Sequence, residues 1–72
     1  MYKVNEIIGA DAVAQQAVVP KPVGPGFAAG QVKGATRMEI WGTSFHDPGP
    51  DYTEFRLFKG DRFLASSRID GY

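Results

Sequence analysis

Aromatic residues are concentrated in the C-terminal half of this 72-residue chain. Seven of the nine lie between positions 41 and 72, within three runs that are rich in aromatic and β-branched residues. Clusters of Pro, Gly and Asp at 47–50 and 59–61 separate these runs. Aromatic and β-branched side chains favour a pleated strand, whereas Pro/Gly/Asp clusters favour chain reversals. Residues 35–72 are therefore predicted to form a three-stranded antiparallel β-meander.

The N-terminal segment, residues 1–18, predicts a strand followed by a short helix. Apolar positions in 2–8 fit a period of two, although some of them also fit one face of a helix, and we favour the strand. Asp11 is placed to cap a helix over 12–18 by accepting from its free backbone amides. So short a helix needs tertiary support, and we expect Val13 and Ala17 to lie on the sheet.

Residues 19–34 contain three prolines and four glycines, a composition that disfavours both a helix and a central strand. This segment is predicted to be a semi-rigid Pro/Gly-rich linker, with Phe27 as its anchor. The chain as a whole, residues 1–72, is predicted to be a single small α+β domain. It has a three-stranded meander, which the N-terminal strand could join as a fourth strand, and one short N-terminal helix.

The hairpin between the last two strands is predicted from Gly60-Asp61, which suits a two-residue turn with glycine at its first central position. That turn would pair Phe58 with Phe63 and Leu57 with Leu64. Alternation along the last strand would then place Phe63 on one face with Ala65 and Ile69. A three-residue loop would shift this register, and a shift of one residue moves a strand's side chains to the other face.

Both faces of the predicted sheet carry large apolar side chains, although one short helix can cover only one of them. Met38 and Ile40 alternate with the aromatic positions of the first strand, so the rings lie on the opposite face. An uncovered aromatic face is typical of an interface. The predicted partner-binding residues are Trp41, Phe45, Tyr52, Arg56, Phe58 and Phe63. The alternative is that the linker folds over this face, using Val23, Phe27 and Val32.

Size and composition narrow the kinds of site that the chain can hold. A domain of this size buries only about 60% of its unfolded surface and usually needs disulfides, a metal or association. The chain has no cysteine and one histidine, which excludes disulfides and zinc sites built on thiolates or several histidines. Association with a protein partner or with another copy is the remaining support. We expect no metal and no cofactor.

The location of the protein is predicted from what the sequence lacks. Residues 1–6 show no apolar run suited to a secretory signal, and no stretch approaches the ~18 apolar residues of a membrane span. The cytoplasm is therefore the expected compartment, and no membrane partner is expected. Short cysteine-free chains are common among phage and mobile-element proteins, an origin suggested here by size alone.

No motif predicts an enzyme. His46, Asp47 and Asp51 are the one cluster of acid/base or metal-ligating groups, but Asp, Pro and Gly at these positions are what a turn requires. Residues 24–29 match the letters of a dinucleotide-binding glycine turn. That motif needs a preceding strand and a following helix, which the prolines and glycines around it disfavour.

The predicted function is therefore non-enzymatic protein binding, as a small subunit or as a regulator or inhibitor of a larger protein, or self-association through the aromatic face. The alternative is a single-stranded nucleic-acid binder, because Arg56, Arg62 and Arg68 interleave with aromatic residues that could stack on bases. Against it, eight basic residues are balanced by eight acidic ones, whereas phosphate-binding chains normally carry excess positive charge.

Overall fold

The structure, a computed structural model, describes residues 1–43 and 51–70 and holds one four-stranded antiparallel sheet in the order β1-β2-β3-β4. The strands are β1 (Tyr2–Ile8), β2 (Arg37–Gly42), β3 (Tyr52–Lys59) and β4 (Arg62–Asp70). Two short helices, α1 (Ala10–Ala17) and α2 (Ala29–Val32), separate β1 from β2 in sequence. The small α+β fold is thus confirmed, and the N-terminal strand is the fourth strand of the sheet.

The start of α1 differs from the prediction. The helix begins at Ala10 after Gly9, whose φ of 107° reverses the chain directly at the end of β1. The Gly9 amide donates to the Thr36 carbonyl at 2.9 Å, which fixes this reversal beside β2. Asp11 is not the capping residue, and among the described residues no side chain caps α1. Asp11 lies within the first turn of α1, where its negative charge interacts favourably with the helix dipole.

Residues 19–34 are attached to α1 and to the far edge of the sheet. The Gly26 and Phe27 amides donate to the carbonyls of Val19 and Ala17 at 2.8 and 3.0 Å. The Ser67 hydroxyl of β4 donates to the Pro25 carbonyl at 2.5 Å. The segment also contains α2, a single helical turn that the Pro/Gly composition did not predict. These bonds hold it on the same side of the sheet as α1.

The core lies between one face of the sheet and the helices. Its buried residues are Val13, Ala17, Phe27, Val32, Ala35, Met38, Phe55, Leu57 and Ile69. Val13 and Ala17 pack on the sheet as predicted. Phe27 and Val32 belong to this core, while Val23 is 83% exposed. The idea that the linker folds over the aromatic face with these three residues is therefore wrong.

A β-bulge on β4 changes the predicted pairing of the last hairpin. Gly60 has a φ of 60°, and Phe58 pairs with Phe63 as predicted. Leu57, however, pairs with Ala65 rather than with Leu64, so Leu64 is the extra residue of the bulge. The predicted pairing of Leu57 with Leu64 is wrong. Phe63 consequently lies on the face of Phe58, opposite to the face of Ala65.

We predict that Leu57→Ala destabilises the fold by about 2–5 kcal/mol, since it leaves a cavity at a core site. Leu57 is fully buried in the central strand β3. The matched control is Val23→Ala at an exposed site, expected within about 0.5 kcal/mol of the wild type. Urea denaturation followed by circular dichroism measures both, and equal stability of the two variants would contradict the proposed core.

We predict that Gly24→Ala destabilises the domain, because its Cβ would lie 2.5 Å from Val19 Cβ and 2.7 Å from the Val19 carbonyl oxygen. Gly30→Ala is the control within the same segment, where a Cβ meets nothing within 4 Å in α2. It should be neutral or stabilise by up to about 1 kcal/mol through helix propensity. Melting temperatures of the two variants test the packing of residues 19–34, and a tolerated Gly24→Ala would argue against it.

Candidate functional site

The face of the sheet opposite the helices, hereafter the open face, carries charged and aromatic side chains from all four strands. Its side chains are identified by their register with one another and by alternation with the core residues. They are Lys3, Glu6 and Ile8 from β1; Arg37, Glu39 and Trp41 from β2; Tyr52, Glu54, Arg56 and Phe58 from β3; and Phe63, Ser66, Arg68 and Asp70 from β4.

Strand register arranges these side chains in rows that cross the sheet. The first row, beside the Gly60 turn, is Ile8, Arg37, Phe58 and Phe63. The second row is Glu6, Glu39, Arg56 and Ser66, and the third is Lys3, Trp41, Glu54 and Arg68. Tyr52 and Asp70 pair in a fourth, shorter row. Neighbours within a row are close enough to interact directly across strands.

Three arginines of the open face each stack on an aromatic ring of an adjacent strand. The guanidinium carbon lies 4.3 Å from the ring centroid for Arg37 on Phe58, 4.4 Å for Arg56 on Trp41 and 3.9 Å for Arg68 on Tyr52. Such cation–π contacts contribute about 0.5–1 kcal/mol each at exposed sites. The rings are partly covered by the arginines, so the open face is amphipathic rather than simply apolar.

The same three arginines each contact a carboxylate two residues away on their own strand. The ion pairs are Arg37 with Glu39 at 3.2 Å, Arg56 with Glu54, and Arg68 with Asp70 at 2.5 Å. Residues two apart in a strand share a face, which is why these pairs form. The hydrogen bond to Asp70 raises the pKa of Arg68; desolvation opposes this effect, and the negative charges of Asp70 and Glu54 reinforce it.

Strand β1 completes the charge balance of the open face. Glu6 accepts from Lys3 at 3.2 Å and lies 3.8 Å from an Arg37 guanidinium nitrogen. With Lys3 and Glu6 included, the open face carries four basic groups and four carboxylates. It therefore presents closely spaced charges of both signs without a net charge.

The first row contains the most exposed apolar side chains of the open face. Phe63 is 54% exposed and packs edge-on against Phe58, with ring centroids 5.8 Å apart. Ile8 is exposed at the other end of the row. Trp41 is half-buried, and its indole N–H donates to Glu39 at 2.9 Å. A partner would thus meet one apolar end and three arginine–aromatic stacks.

The residues predicted from sequence to bind a partner can be located, with one exception. Trp41, Tyr52, Arg56, Phe58 and Phe63 all lie on the open face, whereas Phe45 lies outside the described residues. The predicted partner-binding set lacks Arg37, Arg68, which was named only for the nucleic-acid alternative, and the carboxylates paired with them. The signal that could have found these residues is an acidic and a basic residue two positions apart in each of three strands: Arg37 and Glu39, Glu54 and Arg56, and Arg68 and Asp70.

Residues 1–43 and 51–70 contain no group of three metal-ligating side chains, and no helix within these ranges is long and apolar enough to cross a bilayer. His46 and Asp47 of the predicted turn cluster lie outside the described residues. Asp51 accepts a hydrogen bond from the Thr43 hydroxyl at 3.2 Å, a contact that joins the ends of β2 and β3.

Comparison of the chain with protein-family models, with curated proteins and with solved structures found no match. A function therefore has to be inferred from its own side chains.

We predict that the stack of Arg56 on Trp41 contributes a coupling of about 0.5–1 kcal/mol to stability. A double-mutant cycle with Trp41→Leu and Arg56→Ala measures it, using urea denaturation followed by circular dichroism. Arg62→Ala is the control partner for Trp41→Leu, since Arg62 lies in the hairpin at the opposite end of the sheet. That second cycle should be additive, and an equal coupling in both cycles would contradict a specific stack.

Proposed function

We propose that the chain is a non-enzymatic protein-interaction module that binds a protein surface through its open face. The observation that carries the proposal is that the described residues cover only one face of the sheet. Both helices pack on the face that carries Met38 and Leu57, and residues 19–34 are bonded to β4 on that side. The opposite face carries Trp, Tyr, Phe and Arg side chains, which are enriched at interfaces and dominate their binding energy.

The geometry of the stacks supports a binding role for these side chains rather than a purely structural one. Surface ion pairs contribute about 0–1 kcal/mol and exposed cation–π contacts about 0.5–1 kcal/mol to folding, less than the core residues do. The stacks do, however, hold long arginine side chains in fixed positions. Ordering these side chains before association reduces the entropy lost when a partner binds.

The partner that we propose is a protein. It is either a larger protein, which this chain would serve as a small subunit, regulator or inhibitor, or another copy of this chain. We also propose that the protein acts in the cytoplasm, the compartment predicted from its sequence. A single-stranded nucleic acid is less well supported, because the arginines of all three stacks already contact carboxylates. A phosphate would have to compete with these carboxylates on a face without net positive charge.

A photo-crosslinking amino acid in place of Phe63 tests the proposal. We expect benzoylphenylalanine at this position to give a protein adduct on irradiation of expressing cells, since Phe63 is exposed on the open face. Benzoylphenylalanine in place of Val23 is the matched control, an exposed apolar residue on the helix side. Mass spectrometry identifies the crosslinked molecule.

The outcomes separate the two candidate functions. A protein adduct at position 63 that is absent at position 23 supports the interaction module. A nucleic-acid adduct at position 63 supports the alternative instead. Equal adducts at both positions, or none at position 63, would contradict binding through the open face.

A further inference from the structure

We propose that the partner of the open face is a second copy of this chain, so that two open faces pack against each other. This inference rests on the proposed function and specifies its partner. The two-fold axis would lie between the two sheets and run perpendicular to the strands, midway between the second and third rows. Each strand then lies over the equivalent strand of the other copy and runs antiparallel to it, as in aligned sheet packing.

Charge complementarity carries this arrangement. The two-fold axis places the second row of one copy against the third row of the other. Glu6 then faces the other copy's Lys3, and Arg56 faces the other copy's Glu54. The symmetry repeats each of these attractive contacts, and no described pair of like charges is opposed. The same axis places the first row of one copy over the fourth row of the other, so Phe58 lies over the other copy's Tyr52.

The alternative two-fold axis, parallel to the strands, fits less well. It would place β1 over β4 and β2 over β3 of the other copy. Glu39 would then face Arg56 in the second row, but Lys3 would be opposed to Arg68 in the third row. Like charges juxtaposed in an interface cost several kcal/mol. The positions of the charges on the open face therefore favour the axis perpendicular to the strands.

The edges of the sheet are less suited than its open face to self-association. Both edge strands are interrupted by a bulge, in β1 between Lys3 and Asn5 and in β4 at Leu64. Bulges twist an edge and disturb its row of backbone donors and acceptors, which opposes strand addition by another chain. Pairing face to face requires none of these backbone groups.

The size of the face predicts a weak dimer. Four strands about 4.8 Å apart and about 24 Å long give a face of roughly 450 Å². Two such faces would bury about 900 Å², near the lower limit of ~1,000 Å² for specific interfaces. We therefore expect a mass that rises with protein concentration rather than a permanent dimer.

Charge reversal at Arg56 and Glu54 tests the arrangement, because these residues lie nearest the proposed axis. Arg56→Glu should oppose two carboxylates across the interface, and Glu54→Arg should oppose two guanidinium groups. Each variant should raise the dimer dissociation constant about tenfold or more. Light scattering after size-exclusion chromatography, over a range of concentrations, measures the mass, and circular dichroism verifies the fold of each variant.

Mixing the two variants gives the decisive result. An Arg56→Glu chain is acidic at positions 54 and 56, and a Glu54→Arg chain is basic at both positions. Opposite charges then face each other across the interface, so the mixture should form a heterodimer. Neither chain regains its own internal ion pair, so recovery reports contacts between copies alone. The double variant R56E/E54R should also restore a homodimer. Lys33→Glu, an exposed change on the helix side, is the control and should dimerise like the wild type.

Two results would overturn the inference. One is a wild type that stays monomeric at every concentration, and the other is a mixture that fails to recover the dimer. If crosslinking at position 63 still captures a different protein, the interaction module stands and only the second copy is excluded. If it captures no protein, the proposed function fails as well.

Discussion

Among the described residues, α1, α2 and residues 19–34 form a single layer on one face of the sheet, and the rest of the structure depends on that arrangement. Residues 10–34 supply that layer through α1, α2 and the bonded segment between them. Because Ser67 holds Pro25 on the core side, this segment adds to the existing core instead of burying the other face. Among residues 1–43 and 51–70, no helix or linker covers the opposite face of the sheet.

The arginines make an exposed aromatic face compatible with water. A ring in contact with a guanidinium group keeps part of its apolar surface covered, while the charge stays hydrated and paired with a carboxylate. Arg56 shows the arrangement, since it contacts Trp41 across strands and Glu54 along its own strand. The repeated unit of arginine, ring and carboxylate produces a neutral face on which charges of both signs occupy fixed positions.

Sequence patterns predicted the parts of this structure that depend on local chemistry. The strand positions, the Gly60 turn and the burial of Val13 and Ala17 follow from alternation, turn residues and helical spacing. The bulge at Leu64 could not be predicted, because an extra residue in a strand leaves no compositional mark. The first residue of α1 depends on a tertiary bond between Gly9 and Thr36, and the path of residues 19–34 depends on Ser67. For the candidate site, alternation placed Trp41 and Arg56 together, but the stacks needed the observed register.

The bulge at Leu64 links the irregular part of the fold to its proposed function. Without an extra residue, alternation would place Phe63 with Ala65 and Ile69 on the core face, where residues 19–34 already supply Phe27. The bulge instead turns Phe63 onto the ring of Phe58 and leaves it as the most exposed aromatic side chain of the open face among the described residues. The same bulge interrupts the backbone edge of β4, which opposes strand addition there. A single inserted residue thus disturbs one edge of the sheet and adds a ring to the open face, and both effects agree with the proposed association through that face.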